Sequence, residues 1–179
     1  MRKTLFTIDY YEFPNFLNED ECNKLIKSID NLQDYDYLQG NAKTTIGNSQ
    51  HQFLDFHKDI EDKISEKFFV KNQRIAESWC SIQGPDSILK YHKHPNSIIS
   101  GIIYLKVDDD SSKLVFQNPT SMSGEVREIT PTNGLMLMWP SFLMHGSGAT
   151  INKSKERIIL GFNSFWDKKW QEEYQKNKK

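Results

Sequence analysis

Several things are scarce in this 179-residue chain, and each scarcity excludes a class of protein. Only two cysteines occur, Cys22 and Cys80, too few and too far apart in sequence to staple a domain or hold a metal by themselves. They read as two reduced thiols of an intracellular, cytoplasmic protein. No stretch approaches the roughly 18 consecutive apolar residues of a membrane-spanning helix. The start, MRKTLFTIDYYEF, lacks the apolar segment and small-residue cleavage site of a secretory leader. Charge of one sign is also missing: 23 Lys and Arg against 24 Asp and Glu give a net charge of -1. That leaves no bulk basic field for nucleic acid and no reason to expect a membrane partner. No repeat and no Pro/Gly/Ser-rich linker divides the chain, which fits a single domain, 1–179. Histidine is rare too, with five residues, three of them between positions 92 and 145.

The texture of the sequence changes near residue 75. Residues 1–75 read as a helical support region. Asn18 with Glu21 gives a variant of the capping box ahead of Cys22, Leu25, Ile26 and Ile29, which predicts a helix at 19–31. Ile60, Ile64, Phe68 and Phe69 predict a second at 57–69. Residues 35–55 between them are polar and turn-rich and carry no structural signal. From 76 to 166 short apolar segments recur, at 76–83, 87–92, 98–107, 113–117, 125–130, 135–139, 143–149 and 157–165. Asn133-Gly134 is the strongest hairpin signal among the turns between them. Short strands without intervening helices disfavour a βαβ sheet. They predict a mainly β fold with N-terminal helices, a jelly roll or barrel packed against those helices. The tail 167–179, with Trp170 and Tyr174 after Trp166, would form a short helix or a frayed end packing on the barrel or on a second subunit, leaving monomer and homodimer open.

The chemistry-bearing residues sit in this β half. His92 and His94 lie two apart, so on a strand they share a face and can chelate one ion while Lys93 points away. His145 follows an apolar strand and a Pro140-Ser141 corner. Arg157 opens the strand Arg157-Ile-Ile-Leu-Gly-Phe-Asn163, in which alternation puts Arg157, Ile159, Gly161 and Asn163 on one face. An arginine on such an apolar strand is costly to bury without an anion, and its planar fork suits a carboxylate. Ser100, Ile102 and Tyr104 share a face of another strand, where the Tyr104 hydroxyl could share that carboxylate. Loop residues 35–55 and the aromatic set Trp79, Trp139 and Phe142 could line an entrance, although the two tryptophans read first as core anchors. Asp86 and the run Asp108-Asp109-Asp110 read as solvated turns.

Taken in order, His-x-His, Tyr, His and then Arg twelve residues later, the pattern resembles the iron(II)- and 2-oxoglutarate-dependent oxygenases. It is most similar to a subfamily of marine bacteria and phages, in Glu77-Ser-Trp79, Gly84, His92-Lys-His94-Pro-Asn-Ser, Ser100-Gly-Ile-Ile-Tyr104-Leu, Trp139-Pro-Ser, His145 and Arg157-Ile-Ile-Leu-Gly-Phe-Asn163. More distantly it is similar to prolyl 4-hydroxylases. The resemblance covers roughly residues 75–166 and implies a double-stranded β-helix core at 76–166. It also implies a metal site of His92, His94 and His145, and a co-substrate site of Arg157, Tyr104, Ser100 and Asn163. Fe(II), 2-oxoglutarate and O2 would be required, with ascorbate as an additional reductant. The implied reaction is hydroxylation of a prolyl or other protein side chain, or of a small molecule, with release of succinate and CO2. The sequence departs from the family at His94, where most members have a carboxylate. Three arrangements stay open: all three histidines as ligands, His92 and His145 with water, or a register that uses His94 and Asn96. Two other classes also remain, a cupin-type three-histidine dioxygenase without 2-oxoglutarate and a non-catalytic β-sandwich.

Overall fold

Strand β11 (Arg157–Trp166) is the organising element. It pairs antiparallel with β4 (Gln73–Gln83) on one side and with β6 (Ile99–Lys106) on the other. Beyond them lie β9 (Met136–Pro140) and β1 (Tyr11–Phe13) at one edge and β3 (Ala42–Thr44) at the other, giving the order β1-β9-β6-β11-β4-β3. A smaller sheet is built from β10 (His145–Gly146), β7 (Leu114–Gln117) and β8 (Val126–Ile129), and β2 (Leu38–Gln39) pairs with β5 (Ile88–Leu89). These elements come from a computed structural model that describes residues 7–47, 52–121 and 123–169. Trp170 and Tyr174 lie outside the described residues. The fold is mainly β with few helices, and all eight predicted strand segments contain an observed strand.

Period-two alternation divides the large sheet into two faces. One face carries Ile99, Ile103 and Leu105 of β6, Met136 and Met138 of β9, and Ile158, Leu160 and Phe162 of β11. Against it pack α1 (Glu19–Lys27) and α2 (Lys58–Ser65), through Leu25, Ile60 and Ile64. The opposite face carries Ile102, Tyr104, Leu137, Trp139 and Ile159, which meet Leu114, Phe116 and Ile129 of the small sheet. Two cores therefore flank the large sheet, and whatever faces into the second core lies between the two sheets. The only cysteines, Cys22 and Cys80, are free and buried.

Three expectations are corrected by the structure. Both helices are shorter than their apolar patterns. The capping box at Asn18 and Glu21 forms as expected, but α1 stops at Lys27, with the Ser28 hydroxyl donating back to the Leu25 carbonyl. Ile29 and Phe68 still pack on the core from beyond the helix ends, so burial alone had extended both patterns. Asn133-Gly134 does not close a hairpin, because β8 and β9 belong to different sheets. The turn is instead tied to β6 and its end: Asn133 Oδ1 accepts from the Val107 N–H at 2.7 Å, and Gly134 N–H donates to the Tyr104 carbonyl at 2.8 Å. Finally, the segment before residue 75 is not only helical. It supplies β1 and β3, the two edges of the large sheet, and a short 3-10 turn at Phe53–Phe56.

Asn152 fastens the loop before β11 to the end of β4. Fully buried, its Nδ2 donates to the Gly84 carbonyl at 2.8 Å and to the Ser154 carbonyl at 3.1 Å, while its Oδ1 accepts from the Ser112 N–H at 3.1 Å. Asn152→Ala strands these buried groups and is expected to cost about 2 kcal/mol in urea unfolding; an unchanged midpoint would contradict this role.

Candidate metal and dicarboxylate site

The two sheets enclose a cavity of about 320 Å3. Its floor is the inner face of β11, where Arg157, Ile159, Gly161 and Asn163 all line it, as alternation predicts. The inner face of β4 lines it with Glu77, Trp79, Ser81 and Gln83, and His92, His94 and His145 reach in from the side of the small sheet. Gly161 is required by close approach: a Cβ there would fall 2.6 Å from the Trp79 ring.

Backbone pairing brings the histidines together. His92 and His145 exchange backbone hydrogen bonds at 2.9 Å each, and the His94 N–H donates to the Ser141 carbonyl at 3.1 Å. The His-x-His segment is thereby laid against residues 141–145, although it is an isolated bridge beyond β5 rather than part of a long strand. One ring nitrogen from each of His92, His94 and His145 lies within 4.8 Å of the others, a grouping that can hold a metal ion. His145 is 3% exposed, and its ring packs on Trp139 with centroids 4.8 Å apart. Burial lowers the pKa of all three imidazoles. His145 falls well below its ordinary value, and His94 is pushed down to about 4, with His92 adding to the effect. Neutral imidazoles are the form that binds metals.

Arg157 occupies a different chemical setting. Only 3% exposed, it opens β11 opposite Gln83, whose Oε1 accepts from its Nη1 at 2.9 Å. The guanidinium stands over the Tyr104 ring, 5.3 Å from the centroid. Burial lowers the Arg157 pKa and raises that of Tyr104 to about 12, so one stays a cation and the other a neutral phenol at neutral pH. Arg157 Nε is buried without a well-formed hydrogen-bond partner among the described residues, and the buried Tyr104 hydroxyl has none beyond the neighbouring guanidinium. Burying a cation without an anion is strongly unfavourable. A carboxylate is the group that could supply the missing charge and accept from the guanidinium and the phenol.

The predicted residues therefore assemble in two groups. The three histidines form one, and Arg157 with Tyr104 forms the other. Ser100 and Asn163 lie with the histidines: the Ser100 hydroxyl donates to Asn163 Oδ1 at 2.8 Å, and Asn163 Nδ2 stands 3.2 Å from His94 Nδ1. Trp79 and Trp139 both line the cavity, whereas Phe142 is 58% exposed and outside its lining. Asn96 adopts a left-handed backbone conformation, φ 72°, and does not line the cavity. Gln83 and its hold on Arg157 were not foreseen from the sequence, whereas Tyr35, Tyr37 and Leu38 at the cavity mouth come from the 35–55 loop expected to line an entrance. Alternation along β4 from Glu77 would have put Gln83 on the site face.

Comparison with known proteins follows the same lines. Residues 77–163 match the family model described as "Putative 2OG-Fe(II) oxygenase". No curated protein matches the sequence. Among solved structures, a Pseudomonas putida prolyl-4-hydroxylase has a TM-score of 0.61 at 15% identity, over 89% of this chain and 94% of that one. HygX from Streptomyces hygroscopicus, with nickel and 2-oxoglutarate bound, has a TM-score of 0.67 at 13% identity, over 90% and 84%. The viral collagen prolyl hydroxylase of Paramecium Bursaria Chlorella virus-1 has a TM-score of 0.56 at 18% identity, over 87% and 94%.

The depressed histidines make stability depend on pH. His94 has an ordinary value of 6.5 and a folded value of about 4, so between these values the unfolded chain binds protons that the folded chain does not. Its contribution is complete above the unfolded value and is lost as pH falls towards the folded one. Urea unfolding of the metal-free protein should show lower stability at pH 5 than at pH 7, with a smaller difference in His94→Gln. A stability independent of pH over this range would contradict the burial of these rings.

Proposed function

We propose that this chain, whose residues 77–163 match the 2OG-Fe(II) oxygenase family model, is itself such an oxygenase, and that its cavity seats iron and 2-oxoglutarate side by side for the hydroxylation of a second molecule. The observation that carries the reading is the buried Arg157, a cation lacking an anion that lines the same cavity as three clustered imidazoles and packs over the Tyr104 ring behind it. In this reading His92, His94 and His145 form the metal-binding face. In the same reading the two sheets form a double-stranded β-helix around it, which the second core packed between them supports.

When bound, iron with 2-oxoglutarate and O2 supplies the oxidising chemistry, by which the co-substrate is converted to succinate and CO2 and one oxygen atom enters the substrate. The chain's own residues bind and orient. Arg157 takes the carboxylate far from the metal, and the Tyr104 hydroxyl donates to it. Gln83 holds Nη1 so that the rest of the guanidinium fork is aimed into the cavity. Ile102, Leu114 and Ile159 keep water from the space between the two groups. A cupin-type reaction without 2-oxoglutarate would have no use for a buried arginine beside the metal face.

The primary substrate enters past Tyr35 and Tyr37, which are 37% and 44% exposed at the mouth. Structures of this fold have been determined with hygromycin B and with a hypoxia inducible factor peptide bound, one a small molecule and the other a polypeptide. For this chain we retain both classes, a small molecule or a protein side chain such as prolyl. Among the described residues no helix is long and apolar enough to cross a membrane.

Two measurements test the reading. The protein should form succinate from 2-oxoglutarate only when Fe(II) and O2 are present. In calorimetry with Mn(II) in place of iron, Arg157→Leu should weaken 2-oxoglutarate binding by about 100-fold or more while leaving the metal-induced rise in melting temperature intact. Equal 2-oxoglutarate affinity in Arg157→Leu and the parent protein would overturn the assignment of the carboxylate site.

A further inference from the structure

The three imidazoles are not held alike. His92 Nδ1 lies 2.8 Å from the Lys90 carbonyl oxygen, and His145 Nδ1 lies 2.9 Å from that of Leu143. A carbonyl oxygen can only accept, so in both rings Nδ1 carries the proton and Nε2 keeps its lone pair. His94 Nδ1 instead meets Asn163 Nδ2 at 3.2 Å. An amide nitrogen can only donate, so here Nδ1 accepts and the proton of the neutral ring sits on Nε2.

The orientation of the Asn163 amide decides this, and its neighbours determine that orientation. Oδ1 accepts from the Ser100 hydroxyl at 2.8 Å, and Nδ2 donates to Glu77 Oε2 at 2.9 Å. Ser100 could serve either orientation, since a hydroxyl both donates and accepts and its second partner is another hydroxyl, Ser141 at 2.8 Å. Glu77 cannot. With the amide turned over, Oδ1 would face the carboxylate, acceptor against acceptor. Glu77 is thus the partner that fixes which edge of Asn163 His94 meets, across 86 positions of sequence from Asn163.

We propose that Glu77 is a positioning residue which, through Asn163, withholds the His94 lone pair from the metal and leaves His92 and His145 as the two lone-pair ligands. The Asn163 N–H opposes ligation by either nitrogen of His94: it occupies the lone pair of Nδ1 and places the proton on Nε2. His94 then contributes an N–H to the metal-binding face in place of a third ligand. The metal in this proposal rests on the reading under Proposed function, but the relay from Glu77 to His94 exists in the metal-free protein and can be measured there.

Long-range proton–nitrogen NMR of the histidine-labelled, metal-free protein at pH 7.5 reads the proton position of each ring directly. The expected result is Nδ1–H for His92 and His145 and Nε2–H for His94. Glu77→Gln, which can donate to a turned Asn163 carbonyl, should move His94 alone to Nδ1–H, while Glu77→Asp should restore the parent pattern. In Co(II) calorimetry on the full chain, His92→Ala and His145→Ala should each weaken binding by roughly 100-fold or more, and His94→Ala by less than about tenfold. Glu77→Gln should strengthen Co(II) binding when His94 is present and have no effect in a His94→Ala background. A parent protein with Nδ1–H at His94, or a His94→Ala loss equal to that of His145→Ala, would overturn the proposal. Absence of succinate formation would instead count against the oxygenase reading and leave the NMR result standing.

Discussion

A guanidinium buried between two sheets is the constraint on which the rest of this structure turns. Arg157 is 3% exposed and is held by a neutral partner, Gln83, beside a neutral phenol. Desolvating such a charge costs several kcal/mol, and nothing in an apolar core repays it unless an anion arrives. An arginine in this position is therefore best explained by what it binds. A site built for a carboxylate also needs walls that exclude water, and Ile102, Leu114 and Ile159 provide them.

Strand alternation makes this cost bearable. On β11, Ile158, Leu160 and Phe162 pack against the helices, while Arg157, Gly161 and Asn163 face the cavity. The same strand that completes one core thus carries the polar groups of the site. Its pairing with β4 and β6 on both sides makes it a rigid mount for them, as precise placement of binding groups requires. The histidines come from the less regular side. There, short bridges between residues 92 and 145 and between 94 and 141 take the place of a long ladder.

Much of this was legible in the sequence because it depends on periodicity. The spacing of His92 and His94 and the face shared by Arg157 and Asn163 follow from a period of two, and the eight strand segments of the β half from short apolar runs set between turns. Pairings over long separations were not legible. Alternation could place Gln83 and Glu77 on the inner face of β4, but not opposite Arg157 and Asn163. Ser100 and Asn163 were grouped in sequence with the carboxylate anchor, whereas the structure sets them against His94 and each other. The edge strands β1 and β3 span three residues each, too short for alternation to register. Asn133-Gly134 looked like a hairpin because a local turn signal does not say which sheet the next strand joins.

The central claim is that the three-histidine face and the Arg157–Tyr104 pair are two ends of one ligand site. A crystal structure of the protein with Mn(II) and N-oxalylglycine, a 2-oxoglutarate analogue, tests it most directly. The account predicts one analogue molecule with its oxalyl end on a metal held at His92 and His145, and its far carboxylate on Arg157 and Tyr104. A metal bound away from these histidines, or an analogue whose far carboxylate does not reach Arg157, would contradict it.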